Sequence, residues 1–221
     1  MARDVLAPEV ANYLKNHSSA PDAVQRQLIE RTTALGRASG MQIGTDQGAF
    51  LEVLVGAIAP GFAVEVGTFT GYSSLSIARA MPADGRLLCC DVSEKWTDIA
   101  REHWELAGVS DRIDLRIGPA TETLASLGDD VRVDFAFIDA DKTGYRSYYE
   151  ALLPLMGTRG VIAVDNTLWG LSVLDDTDTS DDTVAIRDFN DFVAADPRVV
   201  VALLPIGDGV TLIHPAGPSR S

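Results

Sequence analysis

The sequence predicts an α/β fold in which a doubly wound, mostly parallel sheet carries helices on both faces. Three observations predict it. Short apolar runs alternate with stretches of helical periodicity from residue 62 to residue 195, the pattern of repeated strand–helix units. FAVEVGTFTGYSSLSIA (62–78) reads as a buried strand, a turn bracketed by Gly67 and Gly71, and a helix beginning near Tyr72. The last two apolar runs, VVVALLPI (199–206) and VTLIH (210–214), are separated only by Gly-Asp-Gly. So short a link makes an antiparallel hairpin, because a parallel pair needs a crossover of a dozen residues or more.

Residues 7–18 and 21–38 read as helices, with Pro8 and Pro21 suited to first-turn positions and Val24, Leu28 and Leu35 spaced for one apolar face. The link MQIGTDQG (41–48) is loop-like, and Thr45 is a candidate N-cap. The helix it opens carries Phe50, Leu51, Leu54, Val55 and Ile58 as a wide stripe and ends at Pro60-Gly61. After the strand–turn–helix at 62–78, RLLCCDV (86–92) is a strand. Ser93 caps a helix through about Gly108, in which Trp96, Ala100 and Trp104 recur every four residues as core anchors. A strand (112–118), a short helix (119–127), a strand (133–141), a helix over about 144–154 and a strand (160–166) follow. The acidic run DDTDTSDD (175–182) is a solvated tip or a lid, and a helix over about 183–195 precedes the hairpin. No repeat or linker divides the chain. Residues 1–40 are expected to be leading helices that cap the sheet or meet a second subunit, 41–215 one catalytic domain, and 216–221 a tail.

Composition narrows the function. With 221 residues, 46% of them hydrophobic and 23% charged, the chain can bury one sizeable core. A formal net charge of −14 argues against nucleic acid and against an anionic membrane surface, both of which call for basic patches. No run approaches membrane-spanning length, and MARDVLAPEV lacks the apolar stretch of a signal peptide. The two cysteines, Cys89 and Cys90, are adjacent within a strand and read as small core hydrophobes in a reduced, cytoplasmic protein.

Chemistry is expected where the parallel strands end. Four predicted strands run into acids there: Glu65, Asp91, Asp139 and Asp165. The turn after Glu65 is G-x-x-x-G, without the lysine of a triphosphate-binding loop and without the G-x-G-x-x-G of a dinucleotide site. A wider loop beside an acid suits a ligand bearing a carboxylate and an ammonium, such as S-adenosylmethionine. Asp91 lies about twenty residues past Gly71, the separation of an acid that holds ribose hydroxyls. IDADK (138–142) and VDN (164–166) bring Asp139, Asp165 and Asn166, hard oxygen donors that suit Mg2+, Mn2+ or Ca2+ rather than Zn2+. Lys142 stands one turn past Asp139, and a lysine beside a bound cation can serve as a base. His17, His103 and His214 lack partners at catalytic spacing and read as structural.

EVGTFTGYSSLSIA, FIDADK and VDNTLWG together resemble the cation-dependent, S-adenosylmethionine-dependent O-methyltransferases, the caffeoyl-CoA and catechol O-methyltransferase family, from about Met41 to His214. The resemblance implies a Rossmann-like methyltransferase fold with a seven-stranded sheet, and a homodimer. It implies that Ile43, Glu65, Gly67, Thr68, Ser73, Asp91, Ala120 and Asp141 line the cofactor. It makes Asp139, Asp165 and Asn166 the metal ligands, Lys142 the catalytic base, and Trp169 an acceptor contact beside Asp139, Lys142 and Asn166. Plant caffeoyl-CoA enzymes carry an asparagine after the matching tryptophan; here it is Gly170, followed by the acidic LSVLDDTDTSDDT. The expected acceptor is therefore a catechol-type small molecule. The alternatives are a tRNA-modifying O-methyltransferase and a non-catalytic cofactor-binding relative.

Overall fold

The structure, a computed structural model, describes residues 5–217. The first four residues of the leading segment and residues 218–221 of the expected tail fall outside the described residues. Seven strands form one sheet in the order β3-β2-β1-β4-β5-β7-β6: β1 (Phe62–Val66), β2 (Arg86–Asp91), β3 (Ile113–Ile117), β4 (Val133–Ile138), β5 (Met156–Val164), β6 (Val199–Leu204) and β7 (Val210–Pro215). β1 to β5 pair in parallel, and β7 is antiparallel to both β5 and β6. The fold class is the one the sequence predicts. Val164 pairs with Thr211, so β7 starts where β5 ends. The turn between β6 and β7 therefore reaches the edge of the sheet at which the parallel strands finish.

Strand periodicity of two divides the core between the faces. Ala63, Leu87, Cys89, Phe135, Phe137 and Ala163 point to one side, where they meet helices α3 (Thr45–Ile58), α4 (Tyr72–Ala80) and α5 (Glu94–Leu106). Val64, Val66, Leu88, Cys90, Ala136, Ile138 and Val164 point to the other, against α6 (Ala120–Ala125), α7 (Tyr145–Leu152) and α8 (Asp181–Ala194). Each large side chain fully buried here contributes about 1.5–3 kcal/mol of transfer free energy.

Helix ends differ from expectation where capping chemistry decides them. The leading helices are α1 (Pro8–Asn16) and α2 (Ala23–Thr33). α2 starts after Asp22, whose carboxylate accepts from Gln25 N while Gln25 Oε1 accepts from Asp22 N. That reciprocal capping box leaves Pro21 outside the helix. α2 stops at Thr33 rather than 38, and a 3-10 turn over Gly36–Met41 follows. Gly44 caps α3 and Thr45 is its first residue. α8 begins at Asp181, inside the acidic run, because Ser180 takes the cap position. Among the described residues no helix is long and apolar enough to cross a membrane.

Candidate active site

The strand ends are laced edge to edge. Gly67 N donates to Cys90 O (2.9 Å), Asp139 N to Val66 O (2.8 Å) and Asp165 N to Ile138 O (2.9 Å). The residues that follow each strand thus emerge side by side, and they floor a cleft of about 940 Å³. Ile43, Gly67, Thr68, Ser73, Asp91, Ala120, Asp139, Asp141, Lys142, Asp165, Asn166 and Trp169 all line it. Glu65 does not; it is fully buried just beneath the floor.

At one end the backbone is shaped by contact. Gly67 has φ +91°, and a Cβ there would stand 1.8 Å from Asp139 O, so only glycine lets β1 and β4 close at this point. Asp91 anchors the loop that follows: Oδ2 accepts from Thr68 N (2.9 Å) and Phe69 N (2.7 Å), and Oδ1 from Ser93 N (2.7 Å). Burial pushes the Glu65 carboxyl up to about 7, with the neighbouring Ser73 hydroxyl and the Cys89 thiol acting the other way. Glu65 Oε1 and Thr68 Oγ1 have no hydrogen-bond partner among the described residues. Both atoms are buried beneath the glycine turn, where an unpartnered polar atom is costly.

At the other end Lys142, only 8% exposed, is held on three sides. Its Nζ donates to Asn166 Oδ1 (2.6 Å), Tyr145 Oη (2.7 Å) and Asp139 Oδ1 (3.2 Å). The Trp169 ring lies 5.4 Å from Nζ. Tyr145 Oη in turn donates to Asp165 O (2.9 Å). Burial raises the Asp139 carboxyl, against the pull of Lys142. Burial and then the charge of Asp139 push Asp165 up to about 8.

This donor set fits a hard divalent cation in kind. Among the described residues no three His, Cys, Asp or Glu side chains cluster to hold a metal; beside Asp139 and Asp165 the remaining oxygen donor of the set is the amide of Asn166. A dication would relieve the two carboxylates that burial disfavours, and Lys142 Nζ bridges two of the three donors.

Some cleft residues went unread in the sequence. Trp96, expected as a core anchor, lines the cleft and meets Phe69 edge-on; Trp104 is the core residue, its Nε1 donating to Ser74 Oγ (3.1 Å). Tyr148 Oη donates to Asp141 Oδ1 at 2.5 Å and fixes that carboxylate. Gln47 is buried in the wall. Tyr145 and Tyr148 stand three and seven residues past Lys142 and Asp141, helical spacings that could have flagged them. His103 and His214 are structural, as expected, each ring bonding a backbone carbonyl away from the cleft.

The O-methyltransferase family model matches residues 15–215. The chain belongs to the O-methyltransferase family. It is 41% identical over 208 residues to a Dictyostelium discoideum protein named probable caffeoyl-CoA O-methyltransferase 2, covering 92% of this chain and 90% of that one. It is 39% identical over 182 residues to caffeoyl-CoA O-methyltransferase of Mesembryanthemum crystallinum, covering 78% and 72%. An O-methyltransferase from Bacillus cereus, solved in complex with SAH (S-adenosylhomocysteine), superposes with a TM-score of 0.85 at 30% identity over 94% of this chain and 97% of that one.

Proposed function

We propose that this O-methyltransferase moves the methyl group of S-adenosylmethionine to one hydroxyl of a catechol-type small molecule. The observation that carries this is the joining of two unlike ends in one cleft: a glycine turn over unspent polar atoms, and a lysine seated among Asp139, Asn166 and Tyr145. The SAH held by the Bacillus cereus relative supports the cofactor. Ile43, Gly67, Thr68, Ser73, Asp91, Ala120 and Asp141 hold it, with Glu65 behind the methionine end. Asp139, Asp165 and Asn166 would hold a divalent cation, Mg2+ first, with Mn2+ and Ca2+ as the other candidates. When bound, such an ion supplies positive charge to a pair of vicinal oxygens and makes the reacting hydroxyl more acidic.

Lys142, as the neutral amine left once Nζ has released a proton to solvent, takes the hydroxyl proton, and Tyr145 and Asn166 fix its position. Trp169 forms the apolar wall on the acceptor side. Most of the catalysis is orientation and fixed charge rather than covalent chemistry. Lys142 is the one Lys or Arg among the described residues lining the cleft, while Asp182 and Asp208 stand on the same lining. That charge balance favours a neutral or ammonium-bearing catechol over the multiply phosphorylated arm of a CoA thioester. Val10, Tyr13 and Leu14 of α1, all exposed, support a homodimer through the leading helices.

Methylation with labelled S-adenosylmethionine, in Mg2+ and in EDTA, tests the reading. Catechols are expected to be methylated, monophenols not, and EDTA to abolish transfer. Lys142→Ala is expected to slow turnover by about 10²–10⁴-fold. Equal transfer in EDTA removes the metal, and full turnover by Lys142→Ala removes the base.

A further inference from the structure

The Gly-Asp-Gly turn of the C-terminal hairpin does more than reverse the chain. We propose that Asp208 is a positioning residue for the acceptor end of the cleft: turn 207–209 clasps residues 166–171 and sets where Asn166 and Trp169 stand against Lys142. This rests on the reading of that end as the acceptor side.

Residues 166–171 have an unusual backbone. Asn166 (φ 56°), Trp169 (49°), Gly170 (55°) and Leu171 (62°) are all left-handed; glycine and asparagine tolerate that region, whereas the side chains of Trp169 and Leu171 disfavour it. Such backbone persists only where its surroundings over-determine it. The hairpin does so residue by residue. Thr167 N donates to Gly209 O (3.0 Å), Leu168 N to Asp208 O (2.9 Å) and Gly170 N to Asp208 Oδ1 (2.5 Å). Thr211 Oγ1 adds a bond to Thr167 Oγ1 (2.9 Å), and Asn190 Nδ2 one to Thr167 O (2.8 Å). The approach is so close that a Cβ on Gly209 would stand 2.6 Å from Leu168 N.

Asp208 is the turn's only side chain in this clasp, and it also lines the cleft. Its carboxylate fixes the peptide that follows Trp169, whose ring faces Lys142 Nζ. Asn166, at the start of the segment, accepts from the same Nζ. Loosening the clasp therefore moves both groups that flank the base. The cofactor end is anchored separately, through Asp91 and the residues after β1. The expected signature is altered acceptor chemistry with intact cofactor binding.

The test compares Asp208→Ala, Asp208→Asn and Asp208→Glu in the full chain. It reads kcat and KM for an unsymmetrical catechol, the ratio of its two monomethyl ethers, S-adenosylhomocysteine affinity by calorimetry, and Tm. Asp208→Ala is expected to lower kcat/KM for the catechol by about ten- to hundredfold, to change the product ratio, and to leave S-adenosylhomocysteine affinity within about twofold. Asp208→Asn retains an accepting oxygen and is expected to recover most of the rate and the wild-type ratio. If the alanine variant does not fold, Asp208→Glu carries the test: it keeps the charge but displaces the oxygen, and the product ratio is expected to shift. An unchanged rate and ratio in Asp208→Ala overturns the proposal, as does an equal loss of cofactor affinity, or a wild-type ratio in Asp208→Glu with an altered one in Asp208→Asn. A wild-type protein that methylates no catechol overturns the reading of the site and the clasp with it. An active wild type with an indifferent Asp208→Ala overturns the clasp alone.

Discussion

Glu65 is a carboxyl buried at the expense of the fold. Its carboxyl is wholly buried and pushed up to about 7 from its ordinary value of 4.5. Between those two values the unfolded chain has lost the proton and the folded chain still holds it. Stability of the ligand-free protein therefore falls as pH rises from about 4.5 to about 7, with a full effect of about 3 kcal/mol above that window. Glu65→Gln removes the titration. Urea denaturation of the ligand-free proteins across pH 4–8 should show the variant gaining on the wild type through this window and holding a constant lead above it. A parallel pair of curves would mean that the Glu65 carboxyl titrates alike in the folded and unfolded chains. Cys89 belongs to the same buried cluster: its thiol donates to Glu65 Oε2 (3.4 Å), and burial raises it well above the usual thiol range. It is an inert neighbour rather than a nucleophile.

Among the elements, α2 is the one whose position depends most on its ends. Asp22 serves two purposes: it caps the helix in a box with Gln25, and it pairs with Arg79 of α4 at 2.7 Å. Gln25 Nε2 extends the network to Glu52 Oε1 of α3 (2.9 Å). Asp22→Ala loses cap and ion pair together, for about 1–2 kcal/mol, whereas Asp22→Asn keeps a good cap and loses only a half-exposed pair, for less than about 1 kcal/mol. Thermal unfolding of the two variants should separate them in that order. Equal Tm losses would assign the stabilisation to the ion pair. The far edge of the sheet has its own fastening, where Asp196 accepts from Tyr149 Oη (2.8 Å) and pairs with Arg198 (2.6 Å). The Arg198 bonds hold the Asp196 carboxyl down to about 2. Its contribution is present above about pH 4 and lost as pH falls through 2.

Over the whole molecule, the charge of −14 has consequences that no single contact carries. Like-charge repulsion strains the compact state and is screened by salt, so Tm at pH 8 should rise between about 10 and 150 mM NaCl. The same charge should prevent retention of bulk tRNA at about 150 mM salt, measured by filter binding. Tight tRNA retention under those conditions would revive a nucleic-acid substrate.

Much of this architecture is legible in the chain because it follows from local chemistry. Alternating apolar periodicities determine the strands and helices, and the short Gly-Asp-Gly link determines the antiparallel hairpin. Acids at successive strand ends must meet at one edge if the strands are parallel, so the sequence determines that Asp91, Asp139 and Asp165 share a cleft. Tertiary structure alone decided which face each helical residue took. Trp96 and Trp104 share a spacing, yet one lines the cleft and the other fills the core. It also decided that Glu65 lies under the floor rather than in it, since burial depends on which strands flank β1. The clasp on residues 166–171 is the plainest case. Its left-handed backbone is disfavoured locally and is held by hydrogen bonds from residues some forty positions away, an energy that no stretch of sequence read by itself contains.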